Sequence, residues 1–154
     1  MGRFLPFKEL PQNILGYIIS RLWKKRLIIL TEKELKYLKV LEKEFYTKYK
    51  IFIADYYSHK SDKLLGFISG SSLGKYICLN SSHDTKTLRH EIGHCKQSEK
   101  FGWFYILIIG IPSACGNLFD RFFHKKWTVE KRIQWYYNQP WEKDADRRGG
   151  VYRS

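Results

Sequence analysis

The stretch TLRHEIGHCKQ, residues 87–97, places two histidines four positions apart, with a glutamate directly after the first. In an α-helix, residues four apart are offset by about 40° and therefore share one face. His90 and His94 can thus reach a single metal ion, whereas Leu88 and Ile92 fall on the opposite face and are predicted to pack in the core. The alternative, a chance occurrence of His-Glu-x-x-His, is expected in about one in a hundred chains of this composition.

A metal site with two histidines needs a third protein ligand, and an acidic segment near the C-terminus supplies candidates. In PWEKDADRRGG, residues 140–150, Glu142 and Asp146 are spaced to lie on one face of a helix. We predict that Glu142 is the ligand and that Asp146 accepts a hydrogen bond from a ligand histidine. Ala145 is small enough to let this helix approach the first, and Gly93 is expected to leave room near the metal. The alternative is an exposed acidic face on a basic protein.

The two motifs together resemble those of the gluzincin metallopeptidases, in which His-Glu-x-x-His precedes a Glu-x-x-(Ala/Ser)-Asp segment. More narrowly, HEIGHCKQSEKFG, GIPS and EKDADRRGGV are similar to short uncharacterised bacterial proteins with the same layout, over roughly residues 66–153. The resemblance implies one Zn²⁺ per chain on His90, His94 and Glu142, with Glu91 as general base in peptide-bond hydrolysis. The chain has no room for the large second lobe of thermolysin-like enzymes.

The predicted fold class is α+β. We expect a minimal zincin-like domain, in which a small β-sheet carries the His-Glu-x-x-His helix and a second, ligand-bearing helix across it. Helices are predicted at 32–49, 84–100 and 140–149, strands at 51–57 and 75–80, and a loop or hairpin turn at 66–74. By analogy with zincins, strand 75–80 is expected to hold an extended substrate by strand addition.

Hydrolysis would also need a group that stabilises the oxyanion of the transition state. Tyr136, Tyr137 and Tyr152 are the candidates, and the sequence does not choose among them. Three functions therefore remain open: a zinc metallopeptidase acting on a peptide or protein substrate, a non-catalytic zinc-binding or interaction protein with the same fold, and a basic nucleic-acid or anionic-membrane binding protein.

Length and charge limit these alternatives. The 154 residues predict a single domain, 1–154, made of an N-terminal amphipathic arm or helix at 1–30 and a zincin-like core at 31–154. The 28 Lys and Arg against 15 Asp and Glu give a formal charge of +13, which favours anionic partners. The lysines are spread along the chain and no nucleic-acid module is visible, so binding to nucleic acid is not expected. Three widely spaced cysteines predict free thiols and a cytoplasmic location.

Two apolar segments bear on contact with membranes. The apolar residues between positions 10 and 22 follow helical spacing and predict either a core helix or an interfacial one. WFYILIIGIPSACG, residues 103–116, is shorter than the ~20 residues of a spanning helix and is interrupted by Gly110 and Pro112. We predict that it is buried core behind the His-Glu-x-x-His helix. The expected protein is soluble, with peripheral contact to anionic membranes through its lysines and N-terminal helix.

Overall fold

The fold is α+β, with helices packed around a small mixed sheet. The computed structural model describes residues 7–22, 26–27, 45–53, 70–79 and 84–153. The helices are α1 (Leu10–Leu22), α2 (Thr85–Phe101), α3 (Ile111–Phe123), α4 (Val129–Tyr137) and α5 (Pro140–Gly149), and the strands are β1 (Arg26–Leu27), β2 (Lys50–Ile53), β3 (Gly70–Leu73) and β4 (Tyr76–Leu79). Residues 45–48 are also helical; the rest of the helix predicted at 32–49 lies outside the described residues.

The sheet has the order β1-β2-β4-β3, in which β2 and β4 are parallel and the other two pairs are antiparallel. Helix α2 packs across it. Ile51, Ile77 and Leu79 of the sheet meet Leu88 and Ile92 of α2 in the buried core. The face of α2 that the sequence predicted to be buried is therefore the core face, as expected from helical spacing.

The edge of the sheet differs from the sequence prediction. The segment expected to be a loop or hairpin turn contains strand β3, which pairs with β4 through a two-residue turn at Gly74 and Lys75. Gly74 has φ +59°, a conformation that favours glycine. Strand β4 is paired on both sides and cannot accept a substrate strand, so the prediction for 75–80 is wrong and β3 is the strand at this edge.

The ends of α2 and α5 follow their sequence signals. Asp84 caps α2 by accepting the Thr87 backbone N–H at 2.7 Å, and Gly102, with φ +55°, ends the helix. Helix α5 has Pro140 in its first turn and the left-handed Gly150 at its end. Local signals alone therefore define both helices that carry the predicted ligands.

Helices α2 and α5 approach each other at backbone distance. A Cβ atom on Gly93 would lie 1.9 Å from the carbonyl oxygen of Ala145, and one on Gly149 would lie 2.0 Å from that of Arg89. The role expected for Gly93, to leave room near a metal, is therefore wrong. Its missing side chain instead allows the two helices to touch.

The apolar segment 103–116 is largely exposed, and the prediction that it forms buried core is wrong. A 3₁₀ turn (Gly102–Phe104) and a π-helical turn (Ile106–Gly110) lead directly into α3, so the helical run extends to Phe123. Tyr105 and Ile109 are buried, whereas Leu107 is 63% exposed. Among the described residues, Ile106–Phe123 is one helix that is long and apolar enough to cross a membrane, judged by length and composition alone.

Helix α1 also turns its apolar side outward. Ile14 and Ile18 are exposed, whereas the polar residues Glu9 and Gln12 are buried against the end of α2. Gln12 donates a hydrogen bond to the carbonyl of Gly102, and Glu9 accepts one from Ser98. Of the two interpretations of this helix, the core helix is therefore wrong and the interfacial one remains.

We predict that Gly93→Ala destabilises the protein by about 3 kcal/mol, because the added methyl group meets backbone that cannot rotate away. Urea unfolding followed by circular dichroism measures the loss. Gly110→Ala is the matched control, since its methyl group would meet nothing closer than 3.9 Å. We expect this control to keep or slightly raise the stability, because alanine favours helix by up to about 1 kcal/mol over glycine. Equal effects of both substitutions would contradict the close contact.

Candidate metal centre

Three buried side chains converge between α2 and α5. The Nε2 atoms of His90 and His94 lie 3.0 Å and 3.1 Å from the same Oε2 atom of Glu142. Glu142 is fully buried, at 0% exposure. His90, His94 and Glu142 each offer one possible ligand atom, and these three atoms lie within 4.8 Å of one another. This group could hold a metal ion, and two imidazoles with one carboxylate are a donor set that binds divalent transition metals.

The two helices bring these groups together for different reasons. Helix α2 carries both imidazoles on the face opposite its core residues. Helix α5 carries Glu142 in its first turn, where it faces α2 because Ala145 rests against Gly93 one turn later. A buried carboxylate without partners would be strongly destabilising, and the two imidazoles offset that cost.

Asp146 fixes the orientation of His90. His90 Nδ1–H donates to Asp146 Oδ1 at 2.7 Å, which leaves Nε2 directed at the cluster. Arg153 donates to both oxygens of the same carboxylate, at 2.7 Å and 3.1 Å. The structure thus places Asp146 in the contact that its spacing from Glu142 predicted.

Gln97 does the same for His94, and the sequence analysis missed it. The Gln97 amide nitrogen donates to the Trp141 carbonyl at 2.8 Å and to Asp144 at 3.0 Å, so its oxygen must point the other way. That oxygen accepts from His94 Nδ1–H at 2.8 Å, and Nε2 of the same ring faces Glu142. The local signal was available, because residues three apart are neighbours on a helix.

The cluster changes the acidity of its members. Burial alone would lower the pKa of His90, but hydrogen bonds to Asp146 and Glu142 outweigh it and raise the pKa to about 9. Burial would raise the pKa of Glu142, yet hydrogen bonds from both histidines hold it well below its usual range. Burial would also raise the pKa of Asp146, but hydrogen bonds with His90 and Arg153 outweigh burial and lower it. Glu142 and Asp146 are therefore carboxylates at neutral pH.

Glu91 lies beside the cluster, against the edge strand β3. Its Oε2 atom accepts a hydrogen bond from Ser72 at 2.7 Å, and a Cβ atom on Gly70 would lie 2.8 Å from its Oε1. The negative charge of Glu91 helps to raise the pKa of both His90 and Tyr136. The Glu91 carboxylate therefore interacts electrostatically with both side chains. Ser72 lies in a glycine- and serine-rich segment that gave no sign of this role in the sequence.

Ser113 and Tyr136 hold the second oxygen of Glu142. Ser113 donates its single hydroxyl hydrogen to Glu142 Oε1 at 2.7 Å, so the Tyr136 hydroxyl, 2.9 Å away, donates to Ser113. Burial and the charge of Glu142 raise the pKa of Tyr136 well above its usual value, which keeps the phenol neutral. Of the three candidate tyrosines, Tyr136 is thus hydrogen-bonded into the cluster.

The other two tyrosines are placed differently. The Tyr137 ring meets the His90 ring edge-to-face at 5.0 Å, and the Arg153 guanidinium lies over the same tyrosine ring at 3.4 Å. Tyr152 is 90% exposed, and the structure does not bring it into the cluster. Tyr137 therefore packs against His90.

His124 is buried. His124 stacks on Trp127 at 3.7 Å and hydrogen-bonds Asp120, at the far end of α3 from α2. It belongs to an aromatic cluster between α3 and α4. His59 and His83 lie outside the described residues. Cys78 and Cys95 are buried, whereas Cys115 is exposed.

Comparison with protein-family models, with curated proteins and with solved structures returns no match. What the chain does is therefore inferred from the geometry of its own site.

We predict that the metal-free protein loses stability as the pH rises from about 6.5 to about 9. The pKa of His90 is raised in the folded state, from 6.5 to about 9, so its stabilising contribution is complete below the lower value and lost above the higher one. The loss is at most about 3 kcal/mol. Urea unfolding of chelator-treated protein across this range measures it. His90→Gln should lose much less stability over the same pH range. An identical dependence of the unfolding free energy on pH in both proteins would contradict the raised pKa of His90.

Proposed function

We propose that this protein is a small zinc-dependent metallopeptidase with a zincin-like arrangement of its two ligand helices. One observation carries the proposal: Glu142 lies between His90 and His94 in a buried cluster, while Glu91 lies beside them at the edge of a sheet. The likeness of the two motifs to those of gluzincins points the same way.

Zinc is the ion that this donor set favours. Two imidazole nitrogens and one carboxylate oxygen match the protein ligands of many catalytic zinc sites, in which water or substrate takes a further position. Asp146 and Gln97 each accept the other ring hydrogen of a histidine, which is the usual support for zinc-bound imidazoles. Bound zinc would supply Lewis acidity for the attack of water on a carbonyl group.

The residues of the chain would divide the remaining work. Glu91 takes up a proton from the attacking water and returns it to the nitrogen of the leaving amine. Ser72 holds the Glu91 carboxylate in position. Tyr136, a neutral phenol that hydrogen-bonds Ser113 beside Glu142, is the candidate among the three tyrosines, and its hydroxyl would turn from Ser113 to donate to a developing oxyanion. An extended peptide would add to strand β3, whose outer edge is next to Glu91.

A second function is a metal-binding or structural protein without catalysis. The observation in its favour is that the cluster is already paired: Glu142 satisfies both histidines, and Ser113 satisfies the other oxygen of Glu142. Such a cluster can stabilise the contact between α2 and α5 by itself. Measurements of bound zinc and of activity separate the two functions.

We predict about one Zn²⁺ per purified chain, measured by elemental analysis after dialysis. His90→Ala, His94→Ala and Glu142→Ala should each lose the ion, because two ligands cannot hold it against the buffer. Asp146→Ala should weaken the affinity by about 10–100-fold, the usual effect of removing a partner of a ligand histidine. Glu130→Ala is the control, since this carboxylate is exposed on α4 and should keep full occupancy. Wild-type protein that binds no zinc would exclude this function.

We predict that Glu91→Gln keeps its zinc and loses at least about 10²-fold in peptide hydrolysis, because the amide cannot accept the proton. The assay uses a quenched fluorescent peptide library with the zinc-loaded full chain. Ser72→Ala should reduce hydrolysis by a smaller factor than Glu91→Gln, since the Ser72 hydroxyl only positions the Glu91 carboxylate. Zinc-loaded wild type that cleaves nothing in the library would favour the non-catalytic alternative.

A further inference from the structure

The helical run from Gly102 to Phe123 exposes a continuous apolar stripe. Its members recur at helical spacing along one side of the run, and all are exposed: Phe104, Leu107, Ile108, Ile111, Leu118, Phe119 and Phe122. The opposite side meets the protein body, through Ser113 with Glu142 and through Gly116, which lies against Trp141. The eighteen residues from 106 to 123 are about 27 Å long at 1.5 Å per residue. An apolar surface of this length is much more than the scattered exposed side chains of a soluble protein.

Helix α1 presents a second apolar surface, and its opposite, polar side contacts the start of the helical run at Gly102. Phe7, Ile14 and Ile18 are exposed, and the α1 side that contacts the protein is the polar one. Gln12 donates to the Gly102 carbonyl, at the start of the run that carries the stripe. Helix α1 thus directs polar side chains toward the protein and apolar side chains outward, which is the reverse of the pattern in water-soluble domains.

Basic residues stand at the ends of both apolar helices. Lys8 and Arg21 flank the apolar positions of α1, and Lys100 and Lys125 flank the helical run that carries the stripe; all four are exposed. The acidic residues of these segments are withdrawn from the surface. Glu9 is buried against Ser98, and Asp120 is buried against His124 and Arg132. Within the described part of the chain, the exposed charged side chains at the ends of the two apolar helices are therefore basic.

We propose that the stripe and the outer face of α1 form one surface that inserts into an anionic phospholipid bilayer. In-plane helices with apolar faces reach about 5–10 Å into the boundary between headgroups and acyl chains. Flanking lysine and arginine side chains extend to the headgroup phosphates, which suits the formal charge of +13. Trp103 at one end of the run and Trp127 just beyond the other stand where aromatic side chains prefer the membrane interface.

The sequence alone predicted a peripheral contact through the lysines and the N-terminal helix, and the proposed surface adds the stripe to that contact. Lysines acting alone would release the protein at high salt, because the Debye length falls to about 3 Å at 1 M. Inserted apolar side chains are not screened. Attachment through the stripe therefore differs measurably from attachment through charge, and it does not depend on whether the protein is a peptidase.

The test is vesicle flotation of the full chain, made by cell-free translation in the presence of vesicles of phosphatidylcholine with phosphatidylglycerol. Wild type should float at 0.15 M and at 1 M salt, and should float less well with phosphatidylcholine alone. Leu107→Gln with Ile111→Gln, and Ile14→Gln with Ile18→Gln, should each lower the partition coefficient about tenfold or more, because each pair removes two apolar contacts. Circular dichroism confirms that each variant is folded.

Val129→Gln with Ile133→Gln is the matched control. These residues are also four apart and about half exposed, at 51% and 47%, but they lie on α4 beside the exposed Glu130 and Lys131. The control should float like wild type. The proposal is overturned if wild type does not float, if its binding is lost at 1 M salt, or if the stripe and α1 variants float like the control. A stripe variant that floats normally but changes a dimer to a monomer in sedimentation would assign the stripe to self-association instead.

Discussion

The close approach of α2 and α5 is the constraint on which the rest of the described structure depends. Gly93 rests on the carbonyl of Ala145, and Gly149 rests on that of Arg89, so no side chain fits at either point. The contact brings the Glu142 carboxylate within reach of two imidazoles. Once it is buried there, hydrogen bonds to those imidazoles become necessary, because an unpartnered carboxylate would destabilise the fold. The close helix contact and the polar cluster therefore depend on each other.

Around this contact, each member of the cluster is held by a partner from a different part of the chain. Asp146 holds one imidazole, Gln97 holds the other, and Ser113 holds the far oxygen of the carboxylate. Each of these hydrogen bonds uses an atom that points away from the middle of the cluster: Nδ1 of each histidine and Oε1 of Glu142. The three remaining atoms, Nε2 of both histidines and Oε2 of Glu142, converge, and this group could hold a metal ion.

The sequence predicted the features whose signals are local, and failed where the signal is tertiary. The spacing of His90 and His94 places both on one helical face, and the caps of α2 and α5 follow from single residues. Ser72 and Ser113 could not be found this way, because they reach the site from segments that only the folded chain brings near. Residues 103–116 were wrongly predicted to be buried core. Their hydrophobicity indicates that the side chains avoid water, but it does not indicate whether they contact protein or lipid instead.

Cys115 gives the apolar stripe a built-in reporter. It lies four residues after Ile111 and three before Leu118, and its thiol is exposed, whereas Cys78 and Cys95 are buried in the core. A thiol-reactive spin label or fluorophore will therefore attach at this position in the unaltered chain. The mobility of the label and the polarity that it senses then describe the surroundings of the stripe at this one position, with no substitution that could disturb the packing behind it.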